Sequence, residues 1–364
     1  MLITEKEALK KYADEYRVWQ GIPGVARTLG GRTYLTFYSG GTAEQIGNFS
    51  LLYVSDNERD FRLIAVADES GKRCYDPCVW LDPAGRLWWI WSQMCEHEVV
   101  AAVCERPDEA EPRFEAPRHI GEDVMLNKPV VTADGWLFPI AVWAKGIRSL
   151  PEEYDTAHEP GSFVYRTSDG GKTFTRLGAA YAEDRTYDEH MLLETAEGLA
   201  LYTRTRYGIA RALSKDGGLT FSASRDAGLG GPNSRFFIGR LKSGRVLLIN
   251  HVGFSGRSHL TALLSEDDGK TFPYRLLLDE RKHVSYPDAA QDPASGDLYI
   301  TYDRERGCFK SSLEQAQRDA REILLARITE EDIMAGELVS AGSFLARVVN
   351  KLSEYKGEDL FVKK

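Results

Sequence analysis

One pattern, Ser/Thr-x-Asp-x-Gly-x-Thr-Phe, occurs three times and constrains this chain more than anything else in it. The copies are Thr167–Phe174 (TSDGGKTF), Ser214–Phe221 (SKDGGLTF) and Ser265–Phe272 (SEDDGKTF). The chemistry of such a pattern is local. The Asp carboxylate and the Ser/Thr hydroxyl accept backbone N–H groups of a tight hairpin turn, Gly supplies a positive φ, and the aromatic folds back into the sheet layer. Copies at a regular spacing indicate an internally repeated β-protein and not a mosaic of unrelated domains.

A second repeat, strand–Gly hairpin–apolar strand, recurs six times, centred on Gly31, Gly85, Gly135, Gly198, Gly244 and Gly296. Six hairpins imply six blades, each an inner strand pair followed by an outer pair. The turn pattern then closes the outer hairpins of blades three, four and five. Val54–Phe61 reads as a decayed copy in blade one, Phe114 stands where the aromatic belongs in blade two, and Ile323–Arg327 reads as a plain final strand in blade six. The expected fold is an all-β six-bladed propeller with short helical extensions at both ends. It forms a single domain over 1–364, with blades over about 20–330, a helix over Leu2–Tyr16, a surface helix over Ser311–Arg321, and a C-terminal tail over 331–364 that opens with a short helix. Trp80, Trp88, Trp89 and Trp91 read as core between blades, because buried strands need such bulk.

Composition narrows the function. With 364 residues, 43% of them hydrophobic, the chain can bury a large core. A formal net charge of −9 argues against a nucleic-acid or anionic-membrane surface, so an anionic substrate would need a local basic pocket. No apolar run is long enough to span a bilayer, and Met1–Tyr16 lacks the apolar stretch of a signal peptide. The five cysteines are an odd number without metal-ligand spacing and read as reduced thiols of a cytoplasmic protein. With no phosphate-cradling glycine loop either, the sequence implies no metal and no cofactor.

In a propeller the starts of the inner strands converge on one face. Six such places hold Gln20–Pro23, Tyr75–Pro77, Asn127–Pro129, Tyr187–His190, Asn233–Arg235 and Ser285–Asp288, and four of them contain an X-Pro that fixes an extended approach to the strand. Carboxylates, tyrosines, a histidine and cations gather there. A polar ring at the mouth of a rigid scaffold is the expected ligand site.

The three turn motifs are Asp boxes, and the chain resembles the sialidase (neuraminidase) superfamily. That resemblance implies roles residue by residue. Glu189 and Arg204 match the family's buried glutamate and the second arginine of its carboxylate-binding triad. Arg257 matches the third arginine, and Tyr286 lies where the family has its nucleophile. The family's first arginine falls on Gly21, preceded by Gln20, while Arg27 lies further along the strand. The loop that carries the family's acid/base aspartate offers only Glu44, and Asp76 is the alternative on the ring. Lys128, His190, Arg235 and Asp288 add groups outside the family pattern.

The function implied is an exo-acting glycoside hydrolase that removes a terminal acidic sugar from an oligosaccharide. Tyr286 would be the nucleophile, Glu189 its base and Asp76 the acid, with Arg204, Arg257, Arg235, His190, Lys128, Gln20 and Asp288 around the substrate. A tyrosine is a poor nucleophile unless a carboxylate takes its proton. Two readings remain open beside it: a lyase acting on uronates through Tyr286 or His190, and a glycan-binding propeller without catalysis. Without an arginine at position 21 the pocket is expected to be one fork short and to cleave N-acetylneuraminic acid glycosides negligibly. Plainer accounts of single residues stand alongside: Tyr286 packing on Pro287, Arg257 as a surface charge, and Arg235 paired with Asp226.

Overall fold

The computed structural model describes residues 1–41, 43–94, 97–143, 159–187, 189–253, 256–306 and 319–352. Its strands fall into six antiparallel sheets. Blade one holds β1 (Leu2–Ile3), β2 (Trp19–Arg27), β3 (Thr33–Gly40), β4 (Phe49–Ser55) and β5 (Arg62–Ala67). Blade two holds β6 (Arg73–Leu81), β7 (Leu87–Met94), β8 (Glu98–Cys104) and β9 (Arg118–Glu122). Blade three holds β10 (Val130–Thr132), β11 (Gly135–Val142), β12 (Gly161–Thr167) and β13 (Thr175–Ala180). Blade four holds β14 (Met191–Thr195), β15 (Gly198–Thr205), β16 (Gly208–Ser214) and β17 (Arg225–Asp226). Blade five holds β18 (Phe237–Arg240), β19 (Val246–His251), β20 (Leu260–Ser265) and β21 (Tyr274–Asp279). Blade six holds β22 (Val284–Gln291), β23 (Leu298–Arg304), β24 (Glu322–Ile328) and β25 (Phe344–Lys351).

Blades packed on both faces explain the sequence pattern. Strands β3, β4 and β7 are buried along their whole length, their few polar residues included, whereas the outer β21 alternates exposed and buried residues over Arg275–Leu278. The four tryptophans are core, as expected. Trp88 meets Trp80, Trp136 and Phe174 edge-on or tilted, and Trp89 packs on Trp91 and on Phe114, the aromatic expected in blade two.

The Asp boxes sit on the outer hairpins of blades three, four and five. In the first, Asp169 Oδ1 accepts the backbone N–H of Lys172 at 2.9 Å and of Thr173 at 3.0 Å, Oδ2 accepts the Thr173 hydroxyl at 2.6 Å, and the Thr167 hydroxyl accepts Gly171 N–H at 2.9 Å. These bonds to the ionised form hold the Asp169, Asp216 and Asp267 carboxyls below the usual carboxylate range. Gly171 has φ +87°, and a Cβ there would lie 2.2 Å from Trp88. Gly171→Ala is therefore expected to cost about 3 kcal/mol, from left-handed backbone strain plus overpacking against a rigid indole. Gly170, at φ +72°, has only Arg86 within reach at 3.7 Å, so Gly170→Ala should cost less. Urea titration of both variants checks the order.

Both chain ends differ from the sequence reading. Leu2–Tyr16 is no single helix: β1 pairs with β5 as a fifth strand of blade one, and α1 (Lys6–Leu9) with two short 3₁₀ turns follows. Propensity favours helix there, but the edge of β5 offers backbone partners to the first residues. At the other end, α2 (Glu330–Ala335) is the expected short helix, and the chain then returns as β25, so the last blade reaches Lys351 and not residue 330. Asp332 turns the chain, accepting the N–H groups of Val339 at 2.7 Å and Ser340 at 2.8 Å. The helix expected over Ser311–Arg321 falls mainly outside the described residues.

Cys74, Cys78 and Cys104 are buried, unbridged thiols, while Cys95 and Cys308 lie outside the described residues. Among the described residues no helix is long and apolar enough to cross a membrane.

Candidate active site

Three inner strands reach the same face through the same distortion. In β2, β6 and β22 a two-residue bulge, Ile22–Pro23, Asp76–Pro77 or Tyr286–Pro287, stands opposite a single residue of the neighbouring strand. In each, the residue before proline has positive φ: 62° at Ile22, 46° at Asp76 and 56° at Tyr286. None is glycine, and Ile22 is β-branched, so the backbone is strained at three equivalent places. Such strain persists where the surroundings enforce it, and it concentrates at functional sites.

Tyr286, Glu189 and Arg204 form a closed triangle. Tyr286 Oη donates to Glu189 Oε1 at 2.7 Å, and Arg204 Nη1 donates to Glu189 Oε2 at 2.8 Å and to Tyr286 Oη at 3.0 Å. All three are buried. Arg204 is held from behind, with Nε on Asn233 Oδ1 at 2.7 Å, Nη2 on the Asn233 carbonyl at 3.1 Å, and its guanidinium 4.8 Å from the Tyr187 ring centroid. Burial, then the Glu189 charge, pushes the Tyr286 phenol up, while Arg204, Arg257 and Arg306 pull it down. At rest the proton stays on the phenol, which points at the Glu189 carboxylate.

Two more guanidiniums approach the same ring: Arg257 lies 5.3 Å and Arg306 4.6 Å from the Tyr286 ring centroid. Arg306 is balanced by Glu44 at 3.1 Å and Asp303 at 3.6 Å. Arg257 has no ion pair among the described residues. Burial, followed by repulsion from Arg306, lowers its pKa, with Arg204 adding to the effect. Arg257 thus sets a guanidinium without an ion pair among the described residues beside two that are paired with carboxylates.

Asp76 is buried at its bulge. Burial first, then the charges of Glu44 and Glu189, push its carboxyl up to about 7, against the opposing pull of Arg73 and Arg235. Glu44, the other candidate acid, is engaged by Arg73 at 3.5 Å and by Arg306. Of the two candidate acids, Asp76 is the one whose carboxyl is raised by burial, and Glu44 is the one held in ion pairs with two arginines.

The remaining expected site residues are brought to other work. Lys128 and Arg235 both contact Asp288, whose Oδ2 also accepts Val25 N–H at 2.8 Å. Arg235 is fully buried and spends its other donors on Asn127 Oδ1 at 2.7 Å and on the carbonyls of Pro23 and Leu126, both at 3.2 Å. This cluster ties blades one, three, five and six together, and Arg235 does not pair with Asp226. Gln20 accepts Arg17 at 2.8 Å and donates to the Arg321 carbonyl at 2.7 Å. His190 Nε2 lies 2.7 Å from the Phe163 carbonyl, joining blade four to blade three. Arg27 sits at the far end of β2 on Asp292. Trp143, expected as a wall over the site, is buried with Nε1 on the Tyr187 carbonyl at 2.6 Å. Tyr154, its expected companion, lies outside the described residues, as does Asp188 of the ring.

Sequence reasoning missed Arg306 and Arg73, and it put Asn233 on the ring without giving it a role. Arg306 was within reach: β23 pairs antiparallel with β22, with Val284 opposite Arg304, so residues just past β23 lie at the start of β22, within a few residues of Tyr286. A cavity of about 440 Å³ opens at the opposite ends of the inner strands, lined by Leu81, Val131, Leu193, Ile238 and Ala290 among others. Its inner walls are largely apolar, and the tyrosine–carboxylate–arginine cluster lies at the other face.

Six antiparallel sheets and three Asp-box hairpins together define the class, a six-bladed β-propeller with repeated outer turns. The chain belongs to the BNR repeat-like domain family, whose model matches residues 34–300. Among solved structures, the Hadza microbial sialidase Hz136 superposes with a TM-score of 0.62 at 19% identity, covering 79% of this chain and 64% of its own. This chain thus spans less than two thirds of that sialidase. A protein of unknown function from Dyadobacter fermentans gives a TM-score of 0.62 at 16% identity, over 80% of this chain and 92% of the other. The leech intramolecular trans-sialidase, solved with 2,7-anhydro-Neu5Ac, gives 0.61 at 12% identity, over 88% of this chain and 69% of the other. Similarity at this level is similarity of fold. No curated protein matches the sequence.

Proposed function

We propose that this chain is an exo-acting glycoside hydrolase that removes a terminal acidic sugar from an oligosaccharide through a tyrosine nucleophile. The observation that carries the reading is the 2.7 Å bond from Tyr286 Oη to Glu189 Oε1, with Arg204 bridging both. As Tyr286 Oη attacks the anomeric carbon, its proton passes to Glu189, and Arg204 Nη1 stabilises the developing phenolate. Asp76 donates its proton to the departing glycosidic oxygen as that C–O bond breaks, leaving a covalent intermediate in which the sugar is an aryl glycoside of Tyr286. A water then attacks the anomeric carbon, its proton returns to the Asp76 carboxylate, and the tyrosine oxygen leaves with the proton held by Glu189. Glycosidases with a tyrosine nucleophile depart from the two-carboxylate scheme in this way. A phenol also brings no extra negative charge toward an anionic sugar.

The test is a panel of acidic and neutral aryl glycosides, followed by a fluorinated acidic glycosyl fluoride that accumulates the covalent intermediate. Turnover of an acidic member, with added mass on the peptide that contains Tyr286, is the expected result. A product absorbing in the near ultraviolet would reveal a 4,5-unsaturated uronate and hence a lyase. Glycan binding with neither turnover nor adduct would leave a binding propeller.

Arg257 supplies a sharper check. Arg257→Lys keeps the charge but loses the planar fork, and should lower kcat/KM for an acidic substrate by roughly 10- to 150-fold, the equivalent of one charge-assisted hydrogen bond. Its melting temperature should hardly move, because the guanidinium makes no ion pair among the described residues. Unchanged kcat/KM would remove the carboxylate from the substrate.

A further inference from the structure

Position 21 has no side chain, and the space is filled. A Cβ built on Gly21 would lie 2.2 Å from Arg306 Cδ, 2.4 Å from its Cγ and 2.9 Å from Asp303 Oδ2. Arg306 reaches this spot from the opposite direction, two residues beyond β23, with its stem packed over the bare backbone of β2 and its guanidinium over the Tyr286 ring. The arrangement is built around it. Asp303 Oδ2 lies 3.6 Å from Arg306 Nε and accepts Ile22 N–H at 2.8 Å, while Asp303 Oδ1 accepts the Ser285 hydroxyl at 2.6 Å. One carboxylate therefore fixes the bulge of blade one, the residue before the nucleophile, and the cation between them. Glu44 holds Arg306 from the other side.

We infer that Arg306 is a substrate-binding arginine relocated from the first blade to the last: it occupies the volume freed by glycine at position 21 and completes, with Arg204 and Arg257, a three-guanidinium site for the carboxylate of an acidic sugar. The inference rests on the acidic-sugar reading above. It also reverses the expectation of a pocket one fork short. The count of forks is complete, and discrimination between a carboxylate and its uncharged ester follows.

Steric exclusion gives a specific test. A side chain at 21 and the stem of Arg306 compete for the same space, so the two positions are tested as alternatives. The probes are the methyl glycosides of N-acetylneuraminic acid and glucuronic acid, each as the free acid and as its methyl ester, titrated calorimetrically. The wild-type chain is expected to bind at least one acid about tenfold or more tighter than its ester. Arg306→Lys, which still balances Glu44 and Asp303 and so should fold, is expected to lose most of that preference. Arg306→Ala should lose it entirely, and Gly21→Arg combined with Arg306→Ala should recover it, with circular dichroism confirming that each variant is folded. Three results would overturn the inference: no acid-over-ester preference in the wild-type chain, an undiminished preference in Arg306→Lys, or a double variant no better than Arg306→Ala alone. Because the readout is affinity, it separates from the catalytic reading. Acid preference without turnover sinks the hydrolase alone. Turnover with an acid preference that the Arg306 variants leave undiminished sinks the relocation alone, and turnover without any acid preference sinks the relocation together with the acidic sugar.

Discussion

Replacing Tyr286 by Phe should abolish turnover, by on the order of 10⁴-fold or more, the scale seen when a nucleophile is removed. The fold should barely notice. The ring stays packed in its bulge, and only the hydroxyl is lost. Its two partners remain bonded to each other, since Arg204 Nη1 still reaches Glu189 Oε2 at 2.8 Å. No buried charge is orphaned, so the stability cost is about 1 kcal/mol, the net value of a typical hydrogen bond. Parallel measurement of turnover and melting temperature checks both halves. If the Phe variant turns over substrate at the wild-type rate, Tyr286 is a packing residue and the assignment fails. If it loses activity only together with a collapse in melting temperature, the hydroxyl is structural and the loss says nothing about nucleophilicity.

The repeat architecture was legible because its determinants are local. An Asp box closes its own turn through bonds spanning four residues, and a glycine hairpin announces itself wherever it falls. Tyr286, Glu189, Arg204 and Arg257 were reachable because each lies at a strand start, at a strand end or in a loop on one face, and that follows from topology alone. Depth was not legible. Asn127–Lys128, Arg235 and Asp288 share the ring with Tyr286, yet they bind one another, and only the three-dimensional course of the strands distinguishes a channel plug from a pocket wall. Arg306 escaped for a different reason. The pattern assigns the arginine to position 21, and a cation that arrives from another blade into the same volume leaves no trace at that position. Strand β25 was hidden by its surroundings: most of its residues are only partly buried, so the alternation that betrays a strand is weak.

Asp76→Asn is the second large effect, and its size should depend on the leaving group. The isosteric amide cannot donate a proton to a glycosidic oxygen, so cleavage of an alkyl or sugar leaving group should fall by about 10²- to 10⁴-fold. A 4-nitrophenyl leaving group needs no such help. With it the first step should survive and the second, which needs Asp76 as base, should become limiting. Added azide, a nucleophile that requires no deprotonation, should then restore turnover. The pH dependence follows from the raised carboxyl of Asp76, which burial holds at about 7. The acid form is the active one for the first step, so wild-type kcat/KM on an alkyl glycoside should fall as pH rises through about 7, and the Asn variant should lack that limb. Stability moves with it. Between the ordinary carboxylate range and about 7 the folded chain keeps a proton that the unfolded chain releases, so wild-type stability declines as pH rises across that window. The Asn variant has no proton to lose there and should melt at the same temperature as the wild type or higher at pH 8. An alkaline limb that persists unchanged in Asp76→Asn would move the acid to another group, with Glu44 the next to replace, at the expense of its pairing with Arg73 and Arg306.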